Sequence, residues 1–538
     1  MATFDAQQTT WTAADALHFA RRAGFGVTPE QATVVASQSL ATVVDAWVDG
    51  TADATLFQAS IPIADVMSTG ANQNIPADPA PHPFRLEPWR GGLGGVQNAQ
   101  SYFAWRMQYN PNSLQEKLAL FWHQLFATGG DKVDNPTFMT QQLDLFRSSV
   151  ARGPFGNLLV ALSQDPAMLI WLDSVQNRVR PATADIPNEN YAREILELYA
   201  LGVDNGYNQQ DITNLAKAFS GWNFTFAASD LQTHPNNSTI KKPAVGVFTV
   251  FHGQVNTNPV DPRFGANLPN WHTTGTISFL GQTFDIGPTT QYGQDVIGQI
   301  LQLHGGANCA QFLAKRLLLF FVTPAYSATE LADLQALVIS EGFQIGNVLK
   351  RLFKSAYFFD QAHRFALYEG PVAWIVRAVR MLGPDLATAS GATPMPAFPA
   401  WRAIAIAGFA NAGQDLLNPA GPNGWKEHDG WINSNSLRFR GKLAAGFGLS
   451  PVETLVAGQP LLPMTVAQWF PTPPGTPQEV FDRLVALLQP APIPATVRDT
   501  WLTSLWPSTF AWDGSSGTQQ KVRELAFLLL NSPQAQLH

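Results

Sequence analysis

The chain has one cysteine, few charged residues and no long hydrophobic run, and each shortage excludes a class of protein. Because Cys309 is alone among 538 residues, neither an intrachain disulfide nor a zinc site built from several cysteines can form. Charged residues make up 14% of the chain, against roughly 25% in typical soluble domains. The longest apolar stretches, such as residues 317–322, are far shorter than the about 20 residues of a membrane-spanning helix.

Positive charge is also scarce. The formal net charge is −7, and the sequence contains no run of lysine and arginine. Nucleic acids and anionic lipids are bound through basic patches, so we expect neither as a partner. The first eight residues contain neither a basic segment nor an apolar one, and so show no signal peptide. We therefore expect a protein that either stays in the cytoplasm or has had a leader removed.

The sequence is rich in apolar residues arranged with a helical period. Hydrophobic residues reach 45% and include 16 tryptophans, a composition that excludes wholesale disorder. Strand patterns are confined to the middle, at residues 245–251 and in a short pair at residues 276–284 that turns near Leu280 and Gly281. The spacing of apolar residues predicts helices elsewhere, among them residues 11–23, 113–127, 188–201, 208–220, 310–322 and 348–358.

These patterns predict a mainly α protein, a large multi-helical single unit with a small β-hairpin insertion in the middle. We divide it into an N-terminal helical part (residues 1–222), a loop-rich insertion with a short β pair (residues 223–288) and a C-terminal helical part (residues 289–538). The three are expected to be parts of one interwoven unit rather than independent domains.

The segment richest in charge covers residues 187–199. On a helix Glu189, Arg193 and Glu197 share one face, and Asn190 and Glu194 share the adjacent one. Ordinary surface ion pairs would account for this spacing. In a chain so poor in charge, however, an arginine at least partly buried among carboxylates could hold one acid ionised and raise the pKa of another. We therefore treat this helix as a candidate acid/base site.

Two histidines are further candidates. His123 lies within an aromatic, apolar helix, and His272 lies on a loop just before the predicted strand pair. Either could act as a general base, although a histidine on an apolar helix is more often a hydrogen-bonded core residue. A metal site that combined both with the carboxylates near Glu194 is possible in three dimensions, but sequence spacing gives it no direct support.

A loop near residues 418–434 resembles a binding surface. Trp425, Trp431 and Asn433 stand on a backbone rich in glycine and proline. Tryptophan stacks on sugar rings or aromatic ligands, and amides bond hydroxyl groups. The alternative is a loop that its tryptophans anchor to the core.

Taken in order, these segments resemble a bacterial family called domain of unknown function 1800, over roughly residues 18–536. The more specific pieces are residues 188–194, which read Asn-Glu-Asn-Tyr-Ala-Arg-Glu, and the Trp-containing loop that ends in Trp-Ile-Asn. The resemblance implies an exported protein, periplasmic or extracellular, and brings no activity with it. It also implies a protein partner of a class related to sulfatases and alkaline phosphatases, since such proteins often neighbour the family.

The leading interpretation is a hydrolase-like enzyme that acts on an extracellular or envelope polymer, such as a glycan. Glu189 and Glu194 would supply acid/base chemistry and Arg193 would tune them. The other expected site residues are His123 and His272 as catalytic helpers, and Asn190, Trp425, Trp431 and Asn433 as substrate-binding groups. Two alternatives remain open, a non-catalytic envelope or assembly protein with a structural ion-pair network and a metal-dependent enzyme; the cofactor also stays open.

Overall fold

A computed structural model describes most of the chain. The described residues are 2–50, 93–110, 113–179, 185–234, 237–254, 261–264, 266–287, 291–383, 408–448, 466–507 and 509–538. The helices of the first half are α1 Ala2–Asp5, α2 Ala13–Arg22, α3 Pro29–Ala36, α4 Leu40–Asp49, α5 Leu93–Tyr109, α6 Ser113–Leu125, α7 Gly130–Val133, α8 Pro136–Arg147, α9 Phe155–Ser163, α10 Pro166–Trp171, α11 Asn190–Glu194 and α12 Gln209–Ala218. Those of the second half are α13 Gln291–Gln302, α14 Ala307–Phe321, α15 Ala328–Ser340, α16 Ile345–Lys354, α17 Pro371–Leu382, α18 Phe409–Asn411, α19 Ser434–Gly448, α20 Pro477–Leu488, α21 Ala495–Leu505 and α22 Ser516–Asn531.

Local sequence signals start many of these helices. At α12 the side chain of Asn208 accepts from the backbone N–H of Asp211, and Asp211 bonds back to the N–H of Asn208. Thr28 makes the same reciprocal cap at α3, where Pro29 takes the first helical position. The mainly α prediction is confirmed, and the predicted helices agree with the observed ones to within a few residues at each end.

The β structure is larger than one hairpin. Among the described residues, three two-stranded antiparallel sheets form, β1 with β4, β2 with β3, and β5 with β6. The strands are β1 Trp222–Thr225, β2 Leu231–His234, β3 Asn237–Pro243, β4 Val247–Val250, β5 Gly275–Phe279 and β6 Gln282–Ile286. The predicted strand and strand pair are confirmed by β4 and by β5–β6, whose turn places Leu280 and Gly281 at positive φ. β1 was not predicted because all four of its residues are buried, which removes the alternation that marks a half-buried strand.

One apolar core connects the helices. Its buried residues run from Phe4 in α1 to Leu530 in α22. Aromatic rings fill its centre, where Phe126 packs against Trp122 and Tyr199 with ring centroids 5.4 and 5.3 Å apart. The contact between Phe126 and Tyr199 joins the end of α6 to the segment that follows α11.

Buried arginines surround one carboxylate inside this core. Arg21, Arg377 and Arg440 are at most 4% exposed. The carboxylate of Glu369 pairs with Arg377 at 2.7 Å and with Arg21 at 3.1 Å, and its backbone carbonyl accepts from Arg440 at 2.7 Å. Burial opposes ionisation, but the two paired guanidiniums outweigh it and lower the pKa of Glu369 to about 2.

The arginines also satisfy the carbonyls that helices leave unpaired at their C-terminal ends. Arg22 donates to Val322 O at 2.7 Å, just after α14. Arg377 donates to Leu488 O, the last residue of α20. A cation at a helix C-terminus also meets the negative end of the helix dipole. The cluster therefore fixes the ends of helices that are far apart in sequence.

Contacts join the first and last segments of the chain. Arg21, in the N-terminal helical part, donates to Leu537 O at 2.6 Å. The three-part division at residues 222 and 288 stays a prediction. In the described ranges, no helix combines the length and apolar character needed to cross a membrane.

We expect Glu369→Gln to lower the free energy of unfolding by about 3–5 kcal/mol, because it leaves buried guanidiniums without their carboxylate. Denaturant melts at pH 7 would measure it. The matched control is Glu30→Gln, since Glu30 pairs with Arg483 but its side chain is 53% exposed; its loss should cost less than about 1 kcal/mol. Equal effects of the two changes would contradict a central role for Glu369.

Candidate functional site

The charge-rich helix, which begins at Asn190 and ends at Ala200, changes its winding in the middle. α11 ends at Glu194 and continues directly as a π-helical segment, Ile195–Ala200. The N–H of Leu201 accordingly reaches back five residues to Leu196 O, at 3.0 Å. Such π segments are rare in proteins, and those that do occur are often found at functional sites. Glu194 stands at the junction of the two windings.

The predicted ion pairs on this helix form, and they lie at the surface. Arg193 reaches Glu189 at 3.2 Å and Glu197 at 3.3 Å, with 38% of its side chain exposed. Glu189 also accepts hydrogen bonds from Thr213 at 2.6 Å and Gln209 at 2.8 Å, both on α12. Partial burial opposes ionisation, but these hydrogen bonds outweigh it and lower the pKa of Glu189. Glu189 therefore links α11 to α12 as an ionised carboxylate.

Glu194 has the opposite environment. Its side chain is half-buried and, in the part of the chain that the structure describes, its carboxyl group makes no hydrogen bond or ion pair. Burial, reinforced by the nearby charge of Glu197, raises the pKa of Glu194 to about 7. The helix thus carries two carboxyl groups whose pKa values are shifted in opposite directions. At neutral pH Glu194 is protonated in a large share of molecules.

Asn190 connects the start of α11 to a second charged group. Its amide donates to Asp173 at 3.4 Å, and Asp173 pairs with Lys132 at 2.8 Å. The N–H of Asn190 is capped by the side chain of Asn188. The side chain of Asn190 therefore contacts the carboxylate of Asp173, while its backbone N–H holds the helix start.

His123 is completely buried in α6. Its Nε2 accepts from the backbone N–H of Leu417 at 3.0 Å, which places the ring proton on Nδ1. Nδ1 is itself buried without a partner among the described residues. Burial lowers the pKa of His123 to about 3. The imidazole is therefore neutral at pH 7, as expected for an apolar setting.

His272 is also buried, and both of its ring nitrogens face carbonyl oxygens. Nδ1 lies 2.6 Å from Ser220 O, and Nε2 lies 2.7 Å from Gly287 O. Burial lowers the pKa of His272, while the two carbonyls act in the opposite direction. The ring thereby fastens the segment before β5 to the residues that precede β1.

The tryptophan loop packs against α6. The rings of Trp425 and His123 meet edge to face with centroids 5.2 Å apart. Trp431 is buried and lines a cavity of about 50 Å³ together with Gln124 and other groups. Asn433 is exposed and caps α19, since its side chain accepts from the N–H of Ser436 at 3.0 Å. A role of Asn433 in substrate binding stays a prediction.

The predicted site residues fall into separate groups. His123 and Trp425 are in ring contact, and Glu189 and Arg193 are paired. Over the residues that the structure describes, no hydrogen bond, ion pair or ring contact joins Glu194 to either histidine. Convergence of all these segments on one pocket stays a prediction. Within the same residues, no three His, Cys, Asp or Glu side chains come together as metal ligands.

Sequence reasoning did not select Glu427, on the tryptophan loop. Its carboxylate accepts from Gln124 at 2.7 Å and pairs with Arg316 at 2.9 Å, so it ties the loop to α6 and α14. The signal was weak because these partners lie more than 100 residues away.

A comparison with protein families covers almost the whole chain. The model of a family described as protein of unknown function (DUF1800) matches residues 18–537. The chain belongs to the DUF1800 family. The resemblance drawn from residues 188–194 and the tryptophan loop is thereby confirmed. No curated protein and no solved structure matches the chain.

We expect this DUF1800 protein to lose stability in acid because of His123. As the pH falls, its imidazole is protonated in the unfolded chain before it is protonated in the folded protein, and this favours unfolding. The pKa of His123 in the folded protein, about 3, lies below the ordinary value of 6.5. The contribution of the neutral imidazole to the free energy of unfolding is therefore complete above pH 6.5 and is lost as the pH falls towards 3. Between pH 6.5 and 5 it amounts to about 2 kcal/mol. In His123→Gln, which keeps an acceptor but does not titrate, the free energy of unfolding should therefore fall less steeply.

Denaturant melts at pH 7, 6 and 5 would measure these slopes. Asp165 and Glu194, whose pKa values are raised to about 7, act in the opposite direction, so only the difference between variant and wild type is informative. The control is His304→Gln, at an exposed histidine. A His123→Gln slope equal to that of the wild type would contradict the buried neutral imidazole.

Proposed function

We propose that this protein is a hydrolase-like enzyme that cleaves an extracellular or envelope polymer, a glycan, by carboxylate acid/base chemistry on α11. The observation that carries the proposal is Glu194, half-buried, without a hydrogen-bond partner among the described residues, and with a pKa raised to about 7. A general acid works best when its pKa lies near the working pH. Export of the protein, which the family resemblance implies, is part of the proposal.

The proposed chemistry divides the proton transfers between two carboxyl groups. Glu194 donates its proton to the leaving oxygen as the glycosidic C–O bond breaks. Glu189, ionised, accepts the proton of the water that attacks the sugar carbon. The pKa values of the two groups are pushed apart by their surroundings, which is the arrangement that an acid/base pair needs. Arg193 is a positioning residue, because it pairs with Glu189 at 3.2 Å.

The histidines and tryptophans have supporting roles in this proposal. His123 holds the backbone of Leu417 and the ring of Trp425, and His272 fastens the insertion. Trp425, which is partly exposed, would contact the polymer through its ring, and Trp431, which is buried, would hold the loop in place.

We expect Glu194→Gln to lower kcat/KM at least about 100-fold, because an amide cannot donate the proton that the leaving oxygen needs. The assay is the release of reducing ends from a panel of bacterial envelope glycans. Wild-type activity should fall as pH rises above about 7, where Glu194 loses its proton. Glu194→Gln should nevertheless be at least as stable as wild type at pH 8, because it removes a half-buried carboxylate.

The control variant is Glu30→Gln, at an exposed ion pair far along the chain from α11, which should retain wild-type activity. Full activity in Glu194→Gln would overturn the role of Glu194. If the wild-type protein releases reducing ends from none of the glycans in the panel, the enzymatic proposal is overturned.

A second candidate function is a non-catalytic envelope or assembly role. The observation in its favour is that Glu189 is bonded by Thr213, Gln209 and Arg193, which is how a structural carboxylate holds two helices together. The partner would be a protein of the sulfatase- and phosphatase-like class that the family resemblance implies. Co-elution of the two purified proteins, unaffected by Glu194→Gln, would support this function.

A further inference from the structure

The cavity beside the tryptophan loop is bordered by polar side chains from distant parts of the chain. α6 contributes Lys117, the residues after α18 contribute Gln414, and the loop contributes His428 and Trp431. The cavity of about 50 Å³ has room for a small group of a few heavy atoms, since one water needs about 10–15 Å³ on this scale.

Lys117 is the principal group of this wall. It is only 3% exposed, and its ammonium nitrogen has no hydrogen-bond acceptor among the described residues. Its contacts are with aromatic rings, at 5.1 Å from the Phe25 centroid and 5.7 Å from the Phe320 centroid. A buried ammonium without an acceptor is costly to keep. Burial accordingly lowers the pKa of Lys117 to about 8, which leaves it mostly charged at pH 7.

Gln414 presents a second donor to the cavity. It is 2% exposed, and its side-chain oxygen accepts from the N–H of Val372 at 3.1 Å. That bond fixes the orientation of the amide, so its NH₂ group faces away from Val372. The NH₂ group has no acceptor in the described part of the chain.

Ring nitrogens add to this set. Nε2 of His428 and Nδ1 of His538 are buried without a partner among the described residues, and both residues line the cavity. Burial lowers the pKa of both imidazoles, so each is neutral at pH 7 and has one N–H to donate. The Nε1–H of Trp431 likewise has no acceptor among the described residues.

The charges behind the cavity favour an anion. The buried cations Arg21, Arg22, Arg377 and Lys117 face one buried carboxylate, Glu369. Among the described residues that line the cavity, Glu427 has the one acidic side chain. It is already paired with Arg316 at 2.9 and 3.3 Å, so its charge is balanced locally.

We propose that this cavity binds a small oxyanion, or the oxyanion end of a larger ligand, with Lys117 as its counter-charge and Gln414 as a second donor. Phosphate, sulfate and carboxylate groups share the required chemistry, a compact negative charge that accepts several hydrogen bonds. Water could accept some of the same hydrogen bonds, but it would not balance the charge of Lys117. The site is independent of the acid/base chemistry on α11.

The experiment measures stabilisation of the full chain by inorganic phosphate, sulfate and acetate at pH 7, with ionic strength held constant by sodium chloride. Phosphate or sulfate should raise the melting temperature of the wild type in a saturable way. Lys117→Met should need at least about tenfold more anion for the same shift, since it removes a charge-assisted hydrogen bond. Gln414→Glu, which keeps an acceptor for Val372, should weaken binding similarly by repulsion.

The matched control is Lys442→Met, at an exposed lysine of α19, which should bind the anions as the wild type does. Without added anion, Lys117→Met should be at least as stable as the wild type, because it removes an unpaired buried charge. Acetate as effective as phosphate would identify a carboxylate ligand, and a preference for phosphate or sulfate a tetrahedral one. Stabilisation no greater than that by chloride, or unchanged binding in Lys117→Met, would overturn the proposal.

Discussion

The buried carboxylate of Glu369 is the group on which the arrangement of the helices depends. It balances part of the charge of Arg21 and Arg377, and those arginines in turn hold the ends of helices and the last residues of the chain. A guanidinium can be buried only where most of its N–H groups find acceptors. The helix ends must therefore converge on the arginines, which brings α2, α17 and α20 together.

The same constraint shapes both candidate sites. α6 runs from the arginine cluster, which it borders at Lys117, to the contact of Phe126 with Tyr199 in the π segment. Lys117, Leu120 and Gln124 of α6 all line the cavity, so the cavity follows the helix to its last turn. Close to its C-terminal end, His123 is completely buried and neutral at pH 7.

How far the sequence predicted the structure depended on the range of each interaction. Capping at Asn208 and the pairing of Arg193 with Glu189 involve residues three or four apart in the sequence. Their spacing therefore predicted both interactions. The partners of Glu369 lie up to 348 residues away, and a pair at that distance leaves no periodic pattern. The surroundings of Lys117 also come from distant segments, so no pattern in the sequence marks it as buried. Helix caps and ligand-binding groups use the same residue types, so the sequence alone did not show that Asn433 caps α19.

The π segment, Ile195–Ala200, has about one residue more per turn than a regular α-helix. In an α-helix each residue advances the side chains by about 100°, so an inserted residue rotates everything before it relative to everything after it. Removing one residue from Ile195–Ala200 would restore regular winding and swing Glu194 to another face while Tyr199 stayed in the core. The orientation of the acid is thus encoded by chain length, independently of which side chains fill the turn.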